Sequence, residues 1–111
     1  MESIAAHQPF PADGILTRTL HDDASLKVIL FTFSSGQELS EHTASMPAVM
    51  HFLEGEADVG LGHEFCSVSP GAWIHMPAGL PHSVRTRSPL RMVLYLLKQP
   101  GDPPNRAQIN A

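Results

Sequence analysis

Short runs of β-branched and aliphatic residues recur along this chain at regular intervals. Each is cut off by glycine, proline or a small polar cluster, and none sustains the 3.6-residue apolar period of an amphipathic helix. The runs are Ile15–Leu20, Leu26–Phe33, Leu39–Thr43, Ala48–Glu54, Ala57–Leu61, Glu64–Ser69, Ala72–Met76, His82–Arg87 and Leu90–Leu97. Such segments read as strands because branched side chains suit a pleated, half-buried surface. Their even spacing predicts an all-β sandwich or barrel with almost no helix. Gly62-His63 marks a tight hairpin between two of them, and Met46-Pro47, Pro70-Gly71 and Ser88-Pro89 mark turns.

One hydrophobic core suffices for 111 residues of which 42% are hydrophobic, so a single domain is expected. Residues 1–25 read as an N-terminal arm and first strand, 26–97 as the barrel and 98–111 as an irregular tail with three prolines and almost no apolar residue. The net charge is −4 with 7 Lys plus Arg, and Arg85, Arg87 and Arg91 are scattered, which argues against nucleic acid as a partner. The longest apolar run, Met92–Leu97, is far shorter than the roughly 20 residues a membrane span needs, and the N-terminus MESIAAHQPF has neither a basic start nor an apolar stretch. A soluble, cytoplasmic protein is expected. The single cysteine, Cys66, cannot form an internal disulfide and is expected as a small buried thiol on a strand.

Two stretches carry the chemistry: GQELSEHTASMPAVMHFLEG, Gly36–Gly55, and GAWIHMPAGLPH, Gly71–His82. In the first, five residues separate Gly36 from His42 and six separate Ala48 from Gly55. In the second, Gly71 is followed by five residues, then Pro77, Ala78, Gly79, two residues and His82. These spacings, with the 15-residue connection from Glu56 to Pro70, resemble the paired motifs of the cupin family, and the resemblance covers roughly residues 26–97. It implies a small single-domain, RmlC-like cupin: a double-stranded β-helix, or jelly-roll β-barrel. In that family the mouth often holds a divalent metal on three histidines and one glutamate. His42 matches the first motif's first histidine and His82 the histidine of the second motif. The first motif's second histidine falls at Ala44, its glutamate at Ala48, and the second motif's terminal asparagine at Thr86.

Two imidazoles make a weaker site than the three protein ligands of a firmly held catalytic metal. The resemblance therefore implies a divalent transition metal (Fe, Mn, Ni or Zn) held weakly by His42 and His82, or none. The side-chain period of two places His42, Ala44, Ala48, Met50 and Phe52 on one face, provided the Met46-Pro47 turn keeps parity. His51 then points away, and His75 lies outside with Trp73 if Ile74 and Met76 face the core; a one-residue bulge would reverse either assignment. Ala44, Ala48, Met50 and Phe52 should line a pocket that is apolar where the family's is charged, suited to a small, partly apolar ligand. Glu41, next to His42, should face the opposite side, so neither it nor Glu38 reads as a catalytic carboxylate.

Function divides into classes. The first is a metal-dependent, or formerly metal-dependent, cupin binding a small molecule, with dioxygenase-like or isomerase-like chemistry as the resemblance permits. The second is a metal-free binding or sensing module, motivated by Ala44 and Ala48. The third is a dimeric interaction module without catalysis; Trp73 and His51, if outward, suit a homodimer contact.

Overall fold

The computed structural model describes residues 8–98. Residues 1–7 of the expected arm, with His7, and residues 99–111 of the expected tail lie outside them. Nine strands form, and among the described residues there is no helix: β1 Ile15–Asp22, β2 Leu26–Phe33, β3 Glu38–His42, β4 Ala48–Glu54, β5 Ala57–Leu61, β6 Glu64–Val68, β7 Trp73–Met76, β8 His82–Thr86 and β9 Leu90–Leu97. Every strand predicted from the sequence is present, with ends displaced by at most two residues. The one early turn misplaced is HDDAS: β1 runs on through His21 and Asp22, carried past a register shift between Thr19 and His21.

The strands make two antiparallel sheets, a five-stranded one ordered β1-β2-β9-β4-β7 and a four-stranded one ordered β3-β8-β5-β6. This is the jelly-roll arrangement, in which strands distant in sequence become neighbours. Alternation along each strand sends every second side chain into the space between the sheets. Phe31 and Phe33 of β2, Met50 and Phe52 of β4, and Met92, Leu94 and Leu96 of β9 meet Leu39, Val59 and Val84 of the other sheet in one core. A second apolar cluster, Val28, Leu30 and Val93 with Leu53 and Tyr95, lies on the opposite face of the five-stranded sheet.

Two close approaches hold the outline. At Gly55, where φ is +86°, a Cβ would lie 2.1 Å from the Pro89 carbonyl oxygen, so the β4–β5 turn passes the β8–β9 turn with no room for a side chain. On the other side, the nearly buried Arg91 reaches three groups of two distant segments. It pairs with Glu54, donates to the Gln8 carbonyl at 2.9 Å and lies 4.0 Å from the Phe10 ring centre. The arm from Gln8 onward is thus tied to the sheet by a residue that composition presents only as scattered positive charge.

Cys66 corrects an expectation. It is exposed, not buried. Its cross-strand partner Val59 is fully buried, but β6 pairs only with β5 and forms the edge of its sheet, where all but Val68 are exposed. The alternation is there; the opposing layer that would cover it does not reach that far.

Candidate functional site

His42 ends β3 and His82 begins β8, and the two are direct partners in register. A bulge makes this possible. Leu39 pairs with Val84 and His42 with His82, so β3 spends three residues where β8 spends two. In a regular strand, residues three apart such as Leu39 and His42 point to opposite faces; the bulge absorbs the additional residue, and both turn inward. The bulge expected as a hazard for His51 and His75 thus acts on His42 instead.

The turns flanking the pair are pinned to one another. The Gly79 amide donates to the Ala44 carbonyl at 2.9 Å, and the Gly62 amide to the Pro81 carbonyl at 2.8 Å. These bonds join the middle of the first motif, the β5–β6 hairpin and the second motif at one end of the molecule. Thr86, at the motif's asparagine position and 2% exposed, donates its hydroxyl to the Ser34 carbonyl and accepts the Gln37 amide, both at 2.9 Å. A role in holding the start of β3 accounts for it.

The ring centres of His42 and His82 lie 4.2 Å apart, with planes inclined by 59°. The Nδ1 atom of His42 is 2.7 Å from the Ser40 carbonyl oxygen and that of His82 is 2.9 Å from the Leu80 carbonyl oxygen. A carbonyl only accepts, so each Nδ1 carries the proton and each Nε2 is left as a lone pair when the ring is neutral. The Nε2 of His42 is buried and has no hydrogen-bond partner. An unmet acceptor of this kind costs about 1–3 kcal/mol and points to a missing partner. Burial pushes the His82 imidazole below its usual value near 6.5; the Leu80 hydrogen bond opposes that shift and His42 adds to it. The second ring is therefore held in the neutral, lone-pair form.

Ala44, Ala48, Met50 and Phe52 share the interior face with the two rings, as the period of two requires. All four belong to the core, and none leaves more than 5% of its surface open to water. His42 is only partly buried, so a ligand approaching this end meets the imidazoles before the apolar side chains. His51 is half-buried and His75 exposed, opposite Trp73 and Val49 respectively, with Met50 and Ile74 between them in register. Neither joins the pair. Glu38 and Glu41 are exposed, away from the rings.

The residues present fit a two-imidazole centre and not the three-histidine, one-glutamate set. The carbonyl bonds that orient both rings are those that metal-binding histidines use, and the unpartnered Nε2 is a donor atom awaiting an acceptor of its lone pair. Among the described residues, however, no three His, Cys, Asp or Glu side chains gather to hold an ion.

The family model described as the cupin domain matches residues 29–97. The chain belongs to the cupin family. Solved structures agree with this cupin along most of its length. A conserved protein of unknown function from Streptococcus pyogenes is 28% identical, with 89% of this chain and 87% of that one covered and a TM-score of 0.82. A cupin superfamily protein from Desulfitobacterium hafniense is 20% identical, covers 86% and 88%, and has a TM-score of 0.81. An RmlC-like cupin from Desulfovibrio desulfuricans is 24% identical, covers 87% and 96%, and has a TM-score of 0.75. No curated protein matches this cupin. The fold expected from the motifs is thereby shown. Among the described residues no helix is long and apolar enough to cross a membrane.

Proposed function

We propose that this cupin binds a divalent transition metal through the Nε2 atoms of His42 and His82, weakly, and takes up a small, partly apolar ligand at the same end of the barrel. The unpartnered, buried Nε2 of His42 beside a second imidazole whose Nδ1 is tied to a carbonyl in the same way carries this reading. When bound, an ion with only two protein ligands offers open positions at which a ligand's oxygen or nitrogen can be polarised. The chain's own part is to hold both rings by the Ser40 and Leu80 carbonyls, so that Nε2 is the lone-pair atom of each neutral ring, and to place the methyl groups of Ala44 and Ala48 where a further imidazole and a carboxylate would bring charge. Ligands with an apolar body are favoured over highly charged ones by that exchange. Dialysis against Fe, Mn, Ni or Zn followed by elemental analysis tests it. A bound equivalent that disappears in His82→Ala supports the reading, and no bound metal with any of the four ions overturns it.

A metal-free binding or sensing module is favoured by one specific observation, the near-complete burial of Ala44 and Ala48 in the apolar core at the positions of the absent ligands. Ligand-induced thermal stabilisation that persists in a chelator would select this alternative. Assembly as a homodimer is part of the proposal: Trp73 is 65% exposed on the edge strand β7, beside the half-buried His51 of β4. Sedimentation of the wild type and of Trp73→Ser distinguishes a dimer built there from a monomer.

A further inference from the structure

Strand β8 has two functional-looking faces. His82 and Val84 turn into the barrel, whereas Ser83 and Arg85 stand on the outside of the four-stranded sheet above a hollow of about 550 Å³. Register explains its shape. One row across the sheet runs Glu38, Arg85, Asp58, Ser67, and the next runs Ser83, Gly60, Phe65. At Gly60, in the middle of the second row, a Cβ would lie 2.5 Å from the Ser83 hydroxyl and 3.1 Å from the Phe65 ring, so the missing side chain lets those two close over the strand and form part of the lining of the hollow. Phe65, 78% exposed, is one wall, and Cys66 lies on the same rim.

The charges around this hollow are unequally committed. Asp58 accepts the Ser67 hydroxyl at 3.0 Å and has the Arg87 Nε at 3.6 Å. Glu38 and Arg85 face each other in register, yet neither charged group makes an ion pair among the described residues. The hollow therefore offers a free guanidinium, a free carboxylate on the adjacent strand, a hydroxyl and an aromatic face. The geometry points to a second binding site, on the outside of the four-stranded sheet, for a small zwitterion with an apolar or aromatic body, of the free amino acid class. Its carboxylate is taken by Arg85 with the Ser83 hydroxyl, its ammonium group by Glu38, and its side chain lies against Phe65. Each element is needed: a lone anion meets the repulsion of Glu38 and Asp58, and a lone cation that of Arg85.

L-phenylalanine at millimolar concentration is the probe. It is expected to shift the amide resonances of Phe65, Ser67, Ser83 and Arg85. Phenethylamine, 3-phenylpropionate and glycine, each lacking one element, should act about tenfold more weakly or not at all. Arg85→Gln and Phe65→Ser, both surface changes, should weaken the effect of L-phenylalanine about tenfold, while His82→Ala should leave it unaltered. Absence of shifts, equal effects of all four compounds, or shifts confined to the His42–His82 end would overturn the inference.

Discussion

Two pairs of histidines occupy adjacent strands of this barrel, and only one pair forms a site. His42 and His82 are direct partners, their rings 4.2 Å apart and each Nδ1 bound to a carbonyl two residues earlier in the chain. His51 and His75 are offset by two positions across β4 and β7, on the outer side of the other sheet, and no ring contact joins them. Residue type and sequence distance do not separate the pairs. Side-chain parity does: a bulge in β3 turns His42 inward, and the undisturbed register of β4 with β7 leaves His51 and His75 out.

The largest effect that distinguishes the two faces is on stability. Phe52→Ala empties a fully buried core position and should cost about 3–5 kcal/mol, whereas Trp73→Ala on the outer face should stay within about 0.5 kcal/mol, both read from urea unfolding midpoints. Equal losses would mean that β4 and β7 are turned over. Next in size, His82→Ala or His42→Ala should weaken metal retention by more than roughly 100-fold, since even an outer partner of a ligand is worth 10–100-fold. His51→Ala and His75→Ala should leave it unchanged, and loss of metal in either would erase the contrast. Deleting Glu41 tests its cause: the additional residue and the bulge go together, Leu39 and His42 become two positions apart in a regular strand with both inward, and retention should persist; a loss as large as in His42→Ala would mean that the bulge does more than set parity.

A smaller effect concerns pH. Because burial holds the His82 value below that of the unfolded chain, near ~6.5, the unfolded state takes up this proton first as pH falls. Its contribution to stability is complete above ~6.5 and is lost progressively as pH drops through the folded-state value, with a slope of at most about 1.4 kcal/mol per unit. His82→Gln should flatten that part of the curve, and His75→Gln should not. A wild-type stability that instead rises below pH ~6 would contradict the sign.

Much of the architecture was legible beforehand because it rests on local signals. Glycine and proline at turns, branched residues between them and strict alternation define each strand without reference to any other. The spacing of Gly36, His42, Gly55, Gly71, Pro77, Gly79 and His82 added the family, which the domain match then established. What stayed hidden depended on neighbours far away in the chain. Cys66 follows the alternation of a buried residue and is exposed because its strand is an edge. Arg91 looks like surface charge and is nearly buried because Glu54, Gln8 and Phe10 converge on it. The outer hollow has no sequence signature at all, since Glu38, Asp58, Phe65 and Arg85 come from four strands.

The order of residues by itself determined that this chain forms short strands, closes them into a cupin barrel and carries two histidines where the family carries four ligands, because periodicity, turn chemistry and missing donor atoms are all properties of local sequence. Only the tertiary structure decided that those histidines share one face with their Nε2 lone pairs free, and that a second, mixed-charge hollow stands on the reverse side of the same strand. Register and bulges set which side chains meet, and they are fixed by the packing of the whole sheet, not by any one segment of it.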